Sequence, residues 1–304
     1  MRKSSISFLA VLLLCSPLGA QVPMTGAGLP KPATAAGYTG PGDIVSGAYG
    51  WWGLRAYNSA TRGNKVANVC IPSDVTCTDL LSDATTGALV ITTIGGSSCG
   101  VVTCTIKTLY DQSGNTHCSS AACDVTNSTI GNRPVLTLNC IGSLPCMTWT
   151  KASSQVLLNS NVVASQAQPI TVSSAVNLAA SGAKNTFFAM NNGGSGMFSS
   201  FSSTPTITFE DSSTLASATL STATWYAFQG VGNGASSVNY VNGTTVNGSA
   251  GTDGIPSSTA VRIGQDGFGS FFGGTSVEYG IWPSGFSGGN LSSMNSNIRT
   301  YWGF

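Results

Sequence analysis

Charge is scarce in this sequence. Only 8% of its 304 residues are Asp, Glu, Lys or Arg, and His117 is the single histidine. A near-neutral chain with no basic cluster lacks the electrostatic footprint of a nucleic-acid binder, so no nucleic-acid partner is expected. It offers nothing to an anionic membrane surface either, and no later apolar run reaches the roughly 18 residues of a membrane helix. Zinc is disfavoured, because no Cys-x-x-Cys occurs and only His117 is available to join cysteines, so neither metal nor cofactor is expected. The strings Gly96–Gly100 and Gly285–Gly289 match Gly-x-Ser-x-Gly, but a serine hydrolase elbow takes its base from a histidine late in the chain. In a sequence this rich in Gly and Ser such strings arise by chance. Disorder is excluded as well, since 41% of the residues are hydrophobic and the net charge is small.

What is present begins with a leader. Arg2 and Lys3 precede an apolar run from Phe8 to Cys15, and Leu18-Gly19-Ala20 forms a cleavage site before Gln21. Residues 1–20 therefore read as a signal peptide and the protein as secreted, to the medium or the periplasm. Without the leader, ten basic residues face eleven acidic ones. Residues 21–39, rich in Pro, Ala and Gly, read as a linker, and 40–304 as the folded domain. Eight cysteines remain after Cys15, an even number suited to an oxidising compartment. They fall as neighbours, Cys70/Cys77, Cys99/Cys104, Cys118/Cys123 and Cys140/Cys146, each bracketing a turn-like segment. Spacing alone does not settle the connectivity, but local pairing is the expectation.

Short alternating runs separated by Gly, Asn and Ser predict strands over Thr105–Leu109, Asn132–Leu136, Gln155–Leu158, Ile170–Val176, Thr186–Met190, Thr206–Glu210, Trp225–Val231, Ala260–Gly264 and Gly274–Trp282. Val238–Val246 carries Asn242-Gly243, the signature of a type I′ hairpin. Asp74–Gly87 reads as loop with a helical turn, and Leu291–Trp302, stopped by Gly303, as the one helix. Many short strands and one terminal helix predict an all-β, two-sheet sandwich with local disulfides. Trp51-Trp52 read as core.

The most specific stretch is Cys99 through Asn115. A Cys-x4-Cys pair enters an alternating strand that delivers Tyr110-Asp111-Gln112-Ser113-Gly114-Asn115, a tight polar turn. This segment, together with Trp51–Arg62, resembles the catalytic domain of the α-L-arabinofuranosidase B family, secreted retaining glycosidases. The order of a Val-Asn-Gly hairpin, an Ile-Gly strand, a strand bearing Glu278 and a short helix also resembles the concanavalin-like jelly roll. The resemblance spans roughly residues 40–304.

Ordinary glycoside hydrolysis needs one protonated carboxyl and one ionised one. Beside nine aspartates, the chain has only two glutamates, Glu210 and Glu278. Glu210 ends Ile207-Thr208-Phe209, and alternation puts Thr208 and Glu210 on one face. The resemblance implies Glu210 as nucleophile and Asp266, after Ile263-Gly264-Gln265, as acid/base. Read without the resemblance, Glu210 is a solvent-facing strand end and Asp266 a turn cap. Glu278 reads as structural. Asp111 and Gln112 suit hydrogen bonds to backbone or to a sugar hydroxyl; Gly264 is expected at the sugar, and Phe187-Phe188 in place of the family's adjacent Cys-Cys platform, which is absent here. Thr208 stands where the family has an acid. The expected partner is an arabinose-containing polysaccharide or other glycan, bound by a monomer without cofactor. A non-catalytic carbohydrate-binding or structural, adhesive jelly roll is the competing expectation, with a surface protein lacking any sugar ligand a third.

Overall fold

The computed structural model describes residues 37–304 apart from 72–75, 117, 119–122, 163–164, 180–182, 192–195 and 258. The predicted leader, most of the predicted linker and His117 lie outside the described residues. The fold begins slightly earlier than the composition indicates. Tyr38 donates its hydroxyl to the Ala56 carbonyl and packs edge-on against Tyr301, and Asn297 binds the Thr39 carbonyl, so the last predicted linker residues belong to the packed body.

After a short helix α1 (Pro41–Ile44) come β1 (Gly50–Gly53), β2 (Lys65–Cys70), β3 (Cys77–Leu81), β4 (Thr105–Leu109), β5 (Val125–Thr126), β6 (Val135–Ile141) and β7 (Leu144–Trp149). The next group is β8 (Leu157–Val162), β9 (Ile170–Leu178), β10 (Asn185–Asn191), β11 (Gly196–Phe201), β12 (Ile207–Asp211) and β13 (Thr214–Ala216). The chain closes with β14 (Trp225–Gly232), β15 (Ser237–Val241), β16 (Thr244–Gly248), β17 (Thr259–Ile263), β18 (Gly274–Trp282) and helix α2 (Gly288–Trp302).

These strands make the expected antiparallel sandwich. One layer runs β16-β15-β14-β9-β18-β1, with β7 and then β6 attached to the start of β18. The other runs β13-β12-β11-β10-β17-β8-β5-β4-β2-β3. A single pairing, Thr105 opposite Val135, joins β4 to β6 and makes the ladder continuous. Between the layers lies an aromatic core in which Phe187 meets Phe228 and Phe272, while Phe188 stacks on Tyr279 and leans on Trp52. Trp51 and Trp52 are wholly buried.

Local chemistry sets the ends. Asn242 and Gly243 both take positive φ, 47° and 90°, the pair of conformations that a type I′ turn demands. Helix α2 starts three residues before the apolar pattern does, because Ser287 accepts the Asn290 N–H as its N-cap. It stops at Gly303, whose φ of 80° closes the last turn. Its buried face, Leu291, Met294, Ile298 and Trp302, covers the outer side of the first layer, where Asn295 binds the Ala227 carbonyl. The segment Asp74–Gly87 is corrected in part: Cys77–Leu81 is a strand, not loop, held beside β2 by a Cys70–Cys77 bridge at an in-register pair, while the Gly87 N–H bond to the Asp83 carbonyl supplies the one helical turn. All four disulfides are local, Cys70–Cys77, Cys99–Cys104, Cys118–Cys123 and Cys140–Cys146. Among the described residues no helix is long and apolar enough to cross a membrane.

Candidate active site

The outer face of the second layer carries both predicted catalytic carboxyls, Asp266 buried and Glu210 half-buried. Glu210 on β12, Phe198 on β11, Ala189 on β10 and Arg262 on β17 stand directly opposite one another. Two residues along, Thr208, Ser200 and Thr186 form a parallel polar row. Period-2 alternation sends the intervening Phe209, Met190 and Val261 into the core. Glu210 Oε2 accepts from Lys184 Nζ at 2.8 Å, and Glu210 Oε1 lies 3.3 Å from Thr208 Oγ1. Thr208 is itself 2.7 Å from Ser200 Oγ, so a neutral hydroxyl chain occupies the place where the resembled family has a second acid.

Asp266 reaches this face from the turn after β17. Its Oδ1 accepts the Phe268 and Ser270 N–H groups at 2.7 and 3.0 Å, while Oδ2 faces Thr186 Oγ1 at 3.4 Å. Its carbonyl accepts from Asn191 Nδ2 at 2.7 Å, which ties the turn to the end of β10. Asp266 therefore lies over β10 and Glu210 on β12, with Phe198 on the strand between. Two strand spacings, roughly 10 Å, separate the backbones of β10 and β12. Gly264 enters this turn with φ of 90°, and a Cβ there would come within 2.5 Å of the Trp149 ring. Gly264 is buried and serves the turn's backbone, not a sugar.

The expected aromatic platform is elsewhere. A β-bulge between Thr186 and Phe188 places one extra residue in β10, so that Phe187 and Phe188 both point inward where simple alternation would separate them. Both are fully buried, and neither offers a face to a ligand. The bulge is also what leaves Thr186 outward, beside Asp266.

Asp111 and Gln112 serve the opposite layer. Asp111 Oδ1 accepts from Trp51 N at 3.0 Å and from Ser113 N at 2.9 Å. Gln112 donates its backbone N–H to the Trp51 carbonyl and its Nε2 to the Gly53 carbonyl. Together they satisfy the edge of β1 that β18 leaves open, the backbone-bonding role open to this polar turn beside that of a sugar contact. The arrangement has a pH consequence. Burial pushes Asp111 above the ordinary carboxylate range against the pull of its N–H donors, with neighbouring Asp124 adding to the rise. Burial likewise raises Asp124 and Asp211. A carboxyl whose folded pKa exceeds its unfolded one favours folding at low pH, and that contribution is lost as pH climbs from about 4 through the folded value. Thermal unfolding of Asp111→Asn between pH 4 and 7 should therefore show a shallower fall in Tm with pH than the wild type. An unchanged slope would contradict the assignment.

Glu278 is the centre of a buried cluster. Arg55 clasps it through Nε at 2.6 Å and Nη2 at 2.9 Å, and Trp302 Nε1 donates at 2.8 Å. Nothing in the sequence pattern marks Lys184, Thr186, Ser200, Phe198 or Arg262 as members of the carboxylate face. Phe198 and Ser200 are brought there by β11, a Gly- and Ser-containing strand with weak β signal, Lys184 and Thr186 by the start of β10, and Arg262 by β17. A separate cavity of about 220 Å³, lined by Leu220, Tyr226, Val241 and Val246 among others, involves none of these residues.

No protein-family model matches the chain, and no curated protein matches it in sequence. Solved structures do. A GH54 α-L-arabinofuranosidase soaked with a cyclic sulfate inhibitor superposes with a TM-score of 0.63 at 16% identity. An arabinofuranosidase complexed with arabinofuranosyl-α-1,2-xylobiose gives 0.65 at 16% identity. A glutamate-to-glutamine mutant of a GH54 α-L-arabinofuranosidase soaked with 4-nitrophenyl α-L-arabinofuranoside gives 0.64 at 16% identity. Each match covers 86% of this chain and 65% of the other, so the chain spans under two thirds of these neighbours. Similarity at this level of identity shows a shared fold.

Proposed function

We propose that the chain is an exported glycoside hydrolase that releases terminal α-L-arabinofuranosyl groups from plant polysaccharide with retention of configuration. The observation that carries this reading is the placement of Glu210 and Asp266 on one sheet face, either side of Phe198. In this scheme Glu210 attacks the anomeric carbon as the glycosidic C–O bond breaks and Asp266 gives its proton to the departing oxygen. Water then surrenders a proton to Asp266 and its hydroxyl to the anomeric carbon, which frees Glu210. Lys184 orients the nucleophile through its 2.8 Å contact. Such a step draws on no cofactor, and a monomer supplies every group named. Four disulfides suit the oxidising compartment to which the leader would deliver the chain.

A second reading has its own observation. Asp266 Oδ1 already accepts two turn N–H groups, and Glu210 is held by Lys184, so both carboxyls have structural employment in a jelly roll that only binds carbohydrate. Proton NMR of arabinofuranosyl-α-1,2-xylobiose incubated with the purified protein separates the two. Release of arabinose first as the α-anomer supports the enzyme; the β-anomer would contradict the retaining assignment. Saturation transfer to the trisaccharide without any product would select the binding domain.

A further inference from the structure

Phe268 is an exposed aromatic that the chemistry above does not use. It is 58% exposed, yet it is not on a loose loop. Gly267 and Gly269 on either side take φ of 87° and 97°, conformations that a side chain resists, and so turn the ring out at the tip. Asp266 Oδ1 fixes the Phe268 N–H, and Gln265 bridges to Phe271 at the base of the turn. The ring meets that of Phe198 with centroids 5.9 Å apart. Phe198 in turn lies directly opposite Glu210 and beneath the Lys184 ammonium, 5.5 Å from its ring. Single exposed aromatics are ordinary on protein surfaces. This one is carried on the same turn as one candidate catalytic carboxyl and touches the neighbour of the other.

We infer that Phe268, backed by Phe198, is the stacking platform for the sugar on the leaving-group side of the scissile bond, an inference that rests on the assignment of Asp266 as the acid. The acid must face the oxygen shared by the two sugars. A ring two residues further out on the same pinned turn then lies beyond that oxygen, against the sugar that departs. The ligand class follows from the surface: a neutral pyranose of a polysaccharide main chain presents a flat C–H face to an aromatic ring, and covering an exposed Phe removes apolar area from water.

The test compares arabinofuranosyl-α-1,2-xylobiose with methyl α-L-arabinofuranoside, whose leaving group has no ring. In Phe268→Ala the ratio of kcat/KM for the first substrate to that for the second should fall about tenfold, and Phe268→Trp should restore it. A ratio unchanged in Phe268→Ala, while the wild type turns over both substrates, overturns the platform and leaves the function standing. A folded wild type that hydrolyses neither defeats the functional reading. In that event, calorimetric titration with the same trisaccharide judges the platform alone. Binding lost in Phe268→Ala and regained in Phe268→Trp supports it; binding that is absent, or indifferent to the substitution, overturns it.

Discussion

Glu278→Ala should lower stability by about 3–5 kcal/mol, the usual cost of stranding one partner of a buried ion pair. In a folded body of this size that corresponds to a Tm about 6–20 °C lower by scanning calorimetry. The reason is the guanidinium left behind. Arg55 and Glu278 are both fully buried, and Arg55 cannot escape by losing its proton. Its Nη2 would keep Asn297 at 2.9 Å and its face the Tyr301 ring at 4.4 Å, but neither carries a negative charge. Trp302 Nε1 would lose its acceptor in the same stroke, loosening α2 from β18. Replacing both members, Arg55→Met with Glu278→Leu, should recover most of the loss, because no charge then remains in the interior. A double variant as unstable as Glu278→Ala would show that the cluster acts through shape and not through charge.

Asp266→Asn should distinguish catalysis from turn capping by how its effect depends on the leaving group. An Asn side-chain oxygen can still accept the Phe268 and Ser270 N–H groups, so the turn survives. The proton donor does not. Loss of a general acid costs about 10²–10⁴-fold when the departing oxygen is a sugar hydroxyl. It costs far less in the bond-breaking step when that oxygen is 4-nitrophenolate, which leaves without help. A plot of kcat/KM against leaving-group pKa should therefore be steeper in Asp266→Asn than in the wild type. Parallel plots would assign Asp266 to the turn alone.

The sequence made some elements plain and hid others for identifiable reasons. Gly274–Trp282 and the Asn242-Gly243 hairpin were legible because a β-branched and aromatic-rich run between glycine turns and a turn dipeptide act locally. The disulfides were legible because each joins cysteines across a short loop. Thr78 and Asp79 hid β3, whose pairing depends on β2 and the Cys70–Cys77 bridge. The bulge at Phe187 was illegible, since alternation cannot register an extra residue, and with it went the expected platform. Scarcity drew notice to Glu210, one of only two glutamates, whereas Asp266, one of nine aspartates, was singled out only by the resemblance. Their companions could not be picked out. Lys184 and Phe198 acquire meaning only once β10, β11 and β12 are laid side by side, a long-range arrangement that no local pattern encodes. The polar turn at Asp111 was recognisable as rigid, but only the open edge of β1 reveals what it holds.

The most direct test of the central claim is hydrolysis of 4-nitrophenyl α-L-arabinofuranoside by the wild type beside Glu210→Gln, with folding of both checked by circular dichroism. The expected result is turnover by the wild type and a loss of at least about 10³-fold in the variant, because the amide cannot form the glycosyl ester through which a retaining enzyme works. Turnover that persists in Glu210→Gln, or none from a folded wild type, would contradict the assignment.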